Sequence, residues 1–304
     1  MTHIDKQFFA PKYWLTWVGL GILYLISLLP YPVQIKLGNR VGDLMHRLFK
    51  SRRHITQVNI RLCFPDKSEE EQRQLVRDIF RNNAIGLFET SMSWWTSDKR
   101  LNLPVTLQGK EHLDEAIALG KGVILLGAHF STLDMGGRLL SRFYDVDAMY
   151  REHNNLLMDS IIKACREKHL GKAIERESLR SVLRALRKNR VVWYAPDQDF
   201  GPKHSVYAPF FGVSAATITA TTRMVKLNNS PILMFTHHRK ADNSGYELEI
   251  FPVIKDFPSG DEIADATRIN QELEKGIRKD PAQYMWVHRR FKTHPEGKNY
   301  VYKT

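Results

Sequence analysis

The sequence predicts an α/β fold, a central and mostly parallel sheet flanked by helices, with an N-terminal membrane-anchoring helix ahead of it. Three observations carry this reading. Beyond about residue 104, short apolar runs alternate with segments of helical periodicity, the pattern of strand–helix–strand units. Two of these runs, Val123-Ile124-Leu125-Leu126 and Val191-Val192-Trp193-Tyr194, are continuously apolar, as strands buried on both faces must be. Residues 13–29 carry no charged side chain, and nothing else in the 304 residues is like them.

The charge-free stretch follows Pro11, which suits a helix start, and ends at Pro30 and Pro32, which stop one. As a helix it would be ~25 Å long, the lower limit for crossing a hydrocarbon core. Tyr13, Trp14 and Trp17 sit at one end like interfacial aromatic anchors. A cleaved signal peptide fits poorly, because the run opens on bulky aromatics and lacks a small-x-small cleavage site. Lys36, Arg40, Arg47, Lys50, Arg52 and Arg53 follow, against Lys6 and Lys12 upstream, so the positive-inside bias keeps the bulk of the chain in the cytoplasm. Residues 1–35 are therefore expected to form a membrane anchor and 36–304 a cytoplasm-facing domain. A helix lying in the inner leaflet is the alternative to a spanning one.

Apolar residues at helical spacing, among them Leu37, Val41, Leu44, Met45 and Leu48, predict an amphipathic helix over 37–49, fit for a surface or for anionic headgroups. Phe64-Pro65-Asp66-Lys67 is a turn. Ser68 and Glu71 then make a capping box that opens a long helix towards Trp95. Strands are expected at 105–107, 123–127, 148–151, 191–195, 232–237 and 246–252, and helices at 133–143, 156–169, 179–188, 215–227 and 261–278.

In open parallel sheets, sites lie at the carboxyl ends of strands. His129 follows the strand at 123–127, and Asp134 lies five residues on, in the first turn of a helix that Ser131 and Asp134 open as a second capping box. The change of structure between them would let the Asp134 carboxylate orient the imidazole; capping alone also explains the acid. Arg151 ends the strand at 148–151 and is suited to a phosphate or carboxylate, or to solvating a loop end. Pro196-Asp197-Gln198-Asp199 follows the strand at 191–195, and two aspartates at i and i+2 without a third acidic cluster are weak evidence for a metal.

With 45 Lys and Arg against 33 Asp and Glu, the net charge is +12, which favours anionic partners: nucleic acid, acidic phospholipid, a phosphorylated substrate or an acidic carrier protein. Zinc-finger spacing, a basic region running into heptads and RNP-like aromatics are all missing, which argues against nucleic acid. Cys63 and Cys165 are far apart and outside any CxxC, so they fit a reducing compartment better than a disulfide or zinc framework.

Taken in order, the motifs resemble one family, the lipid A late acyltransferases of Gram-negative inner membranes, within the glycerolipid acyltransferase superfamily marked by His-x4-Asp/Glu. The segments that carry the likeness are Tyr13-Trp14-Leu15-Thr16-Trp17, Pro30-Tyr31-Pro32, Leu62-Cys63-Phe64-Pro65, Gly127-Ala128-His129-Phe130-Ser131-Thr132-Leu133-Asp134 and Tyr150-Arg151. It continues through Val192-Trp193-Tyr194-Ala195-Pro196-Asp197-Gln198-Asp199-Phe200-Gly201-Pro202 and Gln283-Tyr284-Met285-Trp286-Val287-His288-Arg289-Arg290-Phe291-Lys292-Thr293. The lauroyl and palmitoleoyl branch looks the better match, although that branch often has Glu where this chain has Asp134.

The resemblance implies transfer of a fatty acyl chain, lauroyl-like, from acyl carrier protein to a hydroxyl of the lipid A precursor Kdo2-lipid IVA at the inner membrane. A lysophospholipid or glycerol-phosphate acyltransferase is the alternative, disfavoured because Asp197-Gln198-Asp199 does not reproduce the Glu-Gly-Thr-Arg element of those enzymes. His129 would be the base and Asp134 its orienting carboxylate, with no cofactor and no metal beyond the acyl-carrier co-substrate. Free N–H groups at the helix start are candidates for the thioester oxyanion. Arg151 and Arg176 would bind phosphates or sugar acids, and Asp197 and Asp199 would shape the site by accepting hydrogen bonds. Arg289, Arg290 and Lys292 would meet headgroup or carrier, or form a solvated basic tail. Phe88, Met92 and Trp94 are candidates for the floor of an acyl pocket.

Overall fold

The computed structural model describes residues 5–303. Short 3-10 turns at Lys6–Phe9 and Pro11–Tyr13 precede four helices, α1 (Trp14–Ser27), α2 (Tyr31–Leu48), α3 (Lys50–Cys63) and α4 (Glu69–Trp95). The alternating region runs β1 (Val105–Gln108), α5 (Lys110–Ala118), β2 (Val123–Leu126), α6 (Leu133–Leu140), β3 (Val146–Tyr150), α7 (Leu156–Glu167), β4 (Ala173–Glu175), α8 (Leu179–Leu186) and β5 (Val191–Tyr194). A hairpin, β6 (Ser205–Phe210) and β7 (Val213–Ile218), is followed by α9 (Ala220–Asn228), β8 (Ile232–Arg239), β9 (Tyr246–Val253) and α10 (Glu262–Lys279).

Seven strands form one sheet in the order β1-β9-β8-β2-β5-β3-β4, and every neighbouring pair is parallel except β8 and β9. The expected central sheet is thus present. Because side chains alternate along a strand, β2 feeds two cores. Val123 and Leu125 pack with Met135 and Leu139 of α6, whereas Ile124 and Leu126 pack with Leu186 of α8, Met224 of α9 and Leu273 of α10.

Helix α4 opens with the expected capping box, Glu71 N–H donating to Ser68 Oγ and Ser68 N–H to Glu71 Oε2. Its Gly86 lies against the loop after β2, where a Cβ would stand 2.3 Å from the Ser131 carbonyl oxygen. A buried ion pair ties α4 to β8: Arg239 Nη1 donates to Glu89 Oε1 at 2.9 Å, and the Tyr246 hydroxyl donates to the same oxygen at 2.6 Å. Removing one member of such a pair strands the other charge, which generally costs about 3–5 kcal/mol.

Two expectations change. The N-terminal anchor does not appear as a spanning helix: α1 has 14 residues, and among the described residues no helix is long and apolar enough to cross a membrane. The helix turns Leu20 inward with Tyr13 of the preceding turn, against Trp94 of α4 and Leu157 of α7. Its other side shows Trp14, Leu15, Val18, Ile22 and Leu25 to the outside, with Leu15 84% exposed. At 100° per residue these five fall on one contiguous stripe.

The helix expected over 215–227 is half strand. Phe210 pairs with Val213 across a two-residue turn in which Phe211 and Gly212 both have positive φ (51° and 76°), the requirement of a type I′ hairpin. β7 then uses its β-branched Val213, Thr217 and Ile218, and the helix begins only at Ala220. A phenylalanine at the first turn position hides the hairpin from the usual Asn-Gly or Asp-Gly signal.

Candidate active site

Four adjacent strands each deliver one polar residue to the carboxyl edge of the sheet. In the spatial order β2, β5, β3, β4 they are His129, Asp197, Arg151 and Arg176. Strand register explains the pairing. Leu126 is level with Tyr194, so His129 and Asp197, each three residues further on, leave the sheet in step. Tyr150 is level with Glu175, and Arg151 and Arg176 follow in the same way.

His129 is gripped by Asp197. The ring Nδ1 lies 2.6 Å from Asp197 Oδ1, and the backbone N–H of His129 donates to Oδ2 at 3.0 Å. A carboxylate facing Nδ1 fixes the proton there and leaves Nε2 with its lone pair free. The Asp197 side chain is wholly buried, whereas a quarter of the His129 ring is exposed. Burial by itself would raise the Asp197 pKa, but attraction to the His129 ring in its protonated form and the ring and backbone hydrogen bonds from that residue outweigh burial and hold it down to about 2.

The predicted partner of the histidine lies elsewhere. Asp134 makes a bidentate ion pair with Arg166 of α7, Nε to Oδ1 at 2.7 Å and Nη2 to Oδ2 at 3.2 Å, and forms no hydrogen bond with His129. The second capping box is not formed either. Helix α6 begins after Thr132, the buried Ser131 hydroxyl has no partner among the described residues, and the Thr132 hydroxyl donates to the His237 carbonyl at 3.0 Å while lying 2.8 Å from His237 Nδ1. Burial drives the pKa of His237 down to about 3, so that ring is neutral. Of the N–H groups at the helix start, Ser131 donates to the Gln283 carbonyl and Leu133 to the Phe130 carbonyl.

The C-terminal segment clamps the loop. Ser131 N–H donates to the Gln283 carbonyl at 2.7 Å and Met285 N–H to the His129 carbonyl at 3.0 Å, so 283–285 run beside 129–131 like a short extra strand. The Tyr284 hydroxyl also donates to the Asp197 carbonyl at 3.4 Å. Sequence reasoning gave these residues no role in holding the histidine.

Asp199 accepts hydrogen bonds from the chain itself: Thr293 N–H at 2.6 Å, Thr293 Oγ1 at 2.8 Å and Gly201 N–H at 2.8 Å. It does not face the cleft. Arg290 is no solvated tail residue: it is 3% exposed, donates to the Ala216 carbonyl and Thr217 Oγ1, and lies over the Phe210 ring. Lys292 sits beside Asp199 at 3.7 Å, and Arg289 is exposed.

The exposed side of His129 opens on a cleft of about 510 Å³ that Arg151, Arg166, Arg176 and Lys203 also line. Arg176 lies over the Phe200 ring, 5.3 Å from its centre. Leu133, Met149, Arg166 and Trp193 are shared with a narrow, mainly apolar cavity of about 50 Å³ between α6, α7 and the sheet, where Gly137, Leu140, Val146 and Leu170 form part of the wall. Trp94 reaches that wall; Phe88 and Met92 do not. Gly127 allows Trp193 its place, since a Cβ there would stand 2.2 Å from the indole nitrogen. Among the described residues no group of three or more His, Cys, Asp or Glu side chains converges as a metal site requires.

A buried carboxylate on Nδ1, a free Nε2 facing a cationic cleft and an adjoining apolar slot suit base-catalysed chemistry on a molecule with both anionic and hydrocarbon parts. Residues 1–293 match the family described as bacterial lipid A biosynthesis acyltransferase. The chain is 41% identical to the lipid A biosynthesis palmitoleoyltransferase of Escherichia coli K12 over 98% of its length and 97% of that protein. It is 40% identical to the lauroyltransferase of the same organism, covering 98% of each, and 27% identical to the myristoyltransferase, covering 99% and 94%. The chain therefore belongs to the bacterial lipid A biosynthesis acyltransferase family, whose members are acyl-transferring enzymes.

Proposed function

We propose that the protein moves a fatty acyl chain, lauroyl-like in length, from acyl carrier protein to a hydroxyl of the lipid A precursor Kdo2-lipid IVA. The observation that carries this reading is the His129–Asp197 pair at the junction of a cationic cleft and an apolar slot. Nε2 of His129 takes the proton of the acceptor hydroxyl as its oxygen attacks the thioester carbonyl. Asp197 stabilises the imidazolium that forms. When the C–S bond breaks, the imidazolium returns the proton to the departing thiolate, so no covalent acyl-enzyme is required. Arg151 and Arg176 bind the phosphates or sugar acids of the acceptor. Asp134 acts through Arg166, holding that guanidinium between cleft and slot, where it is placed to meet the thioester oxyanion.

The slot is the route for the hydrocarbon chain. At about 50 Å³ it has room for only a few atoms, and a longer chain enters as the flexible Met149 swings aside. The outer stripe of α1 seats the enzyme on the cytoplasmic leaflet of the inner membrane, with residues 1–35 as a monotopic anchor. One face of α2 mixes exposed Val33, Leu44 and Leu48 with Lys36, Arg40 and Arg47, a composition suited to anionic phospholipid.

Three outcomes are expected. His129→Ala and Asp197→Asn each lower kcat by about 10²–10⁴ in a mass-spectrometric acyl-transfer assay with folding retained; either variant keeping a tenth of the activity would remove its residue from the mechanism. Gly137→Leu fills the slot and shifts selection towards shorter acyl thioesters in a competition assay; an unchanged chain-length profile would place the hydrocarbon elsewhere. Replacing Leu15, Val18 and Leu25 together by serine weakens binding to phosphatidylglycerol vesicles at least tenfold, and undiminished binding would refute the seating of α1.

A further inference from the structure

Between Ser178 and Lys240 the chain carries ten lysines and arginines but only two acids, Asp197 and Asp199, both turned into the protein. Six of the cations gather on two packed helices and the turn after the first. Arg180 and Arg184 lie on α8, Arg187 and Lys188 just beyond it, and Arg223 and Lys226 on α9. All six are exposed, and among the described residues none is in an ion pair. Leu227, half exposed, adds an apolar contact among them. An uncompensated patch of this kind is a docking surface for something acidic.

Its position selects the occupant. Helices α8 and α9 cover the face of the sheet that receives Ile124 and Leu126, while α1 sits on the opposite side with α7 and the carboxyl end of α4. At 8–10 Å per packed layer, the basic face and the apolar stripe of α1 are on the order of 20 Å apart, with the sheet between them. A bilayer that holds α1 does not reach the basic face. The amino end of α9, at Ala220, borders the cleft, and Glu177, just before α8, lines it too. An eight-residue helix is ~12 Å long, so a body seated on the patch is beside the mouth that leads to His129.

We infer that the α8–α9 face docks the acidic protein that carries the acyl thioester, delivering its arm into the cleft from the side away from the membrane. This rests on the carrier-dependent reading above and adds the surface. The test uses the full-length enzyme and an Arg180→Ala/Arg184→Ala/Arg187→Ala variant. The dissociation constant for acyl carrier protein is measured by calorimetry. Transfer is measured from the carrier thioester and from the acyl-pantetheine thioester of the same chain, and binding to phosphatidylglycerol vesicles by sedimentation.

The variant is expected to bind carrier protein at least tenfold more weakly and to show a correspondingly raised KM for the carrier thioester. Its kcat, its use of acyl-pantetheine and its vesicle binding stay as in wild type. Unchanged carrier affinity, equal losses with both donors, or lost vesicle binding would each overturn the inference, the last assigning the face to lipid. Wild-type carrier binding that depends on these arginines, without transfer from either donor, would support the docking face while refuting the acyl-transfer reading.

Discussion

The site depends on one capture: both oxygens of Asp197 are occupied by the same residue, one by the ring of His129 and the other by its backbone N–H. A carboxylate without solvent contact is unstable as a charge unless its lone pairs are met. Here the group that meets them is the one whose orientation matters, so satisfying the buried charge and aiming the imidazole are a single event. Freezing the backbone and the ring together also fixes which nitrogen faces the cleft. The clamp by 283–285 and the tie between Asp199 and Thr293 brace the two halves of this contact from the C-terminal segment.

Around that contact the protein is divided by function and by layer. On one side of the sheet, α6, α7 and the end of α4 enclose an apolar slot and carry the unpartnered stripe of α1. On the other side α8 and α9 expose Arg180, Arg184, Arg223 and Lys226. The carboxyl edge between them collects His129, Asp197, Arg151 and Arg176. In the proposed reaction, an amphiphilic acceptor and a carrier-borne donor approach His129 from different directions.

Much of this was legible in the sequence, and what was not has a physical cause. Alternating apolar runs give the strands and helices, and the end-of-strand rule picks out His129, Arg151 and Asp197 as loop residues. The partner of His129 was misassigned because β5, although it neighbours β2 in space, follows β3 and β4 in the chain, and strand order is not written in local pattern. Asp134 was taken by Arg166, a residue one crossover away. Arg290 read as part of a basic tail because a lone arginine gives no sign of the carbonyl and hydroxyl that satisfy it when buried. The short α1 read as a possible span because composition shows that a helix is apolar but not that one side of it packs on protein.

The central claim is that Asp197, and not Asp134, sets the tautomer of His129. Nitrogen-15 NMR of histidine-labelled enzyme near neutral pH tests it directly, with the His129 signals assigned by their loss in His129→Ala. The account predicts a protonated Nδ1 and an unprotonated Nε2 in the wild type and in Asp134→Asn, and loss of that preference in Asp197→Asn. Preservation of the tautomer in Asp197→Asn with its loss in Asp134→Asn would contradict it.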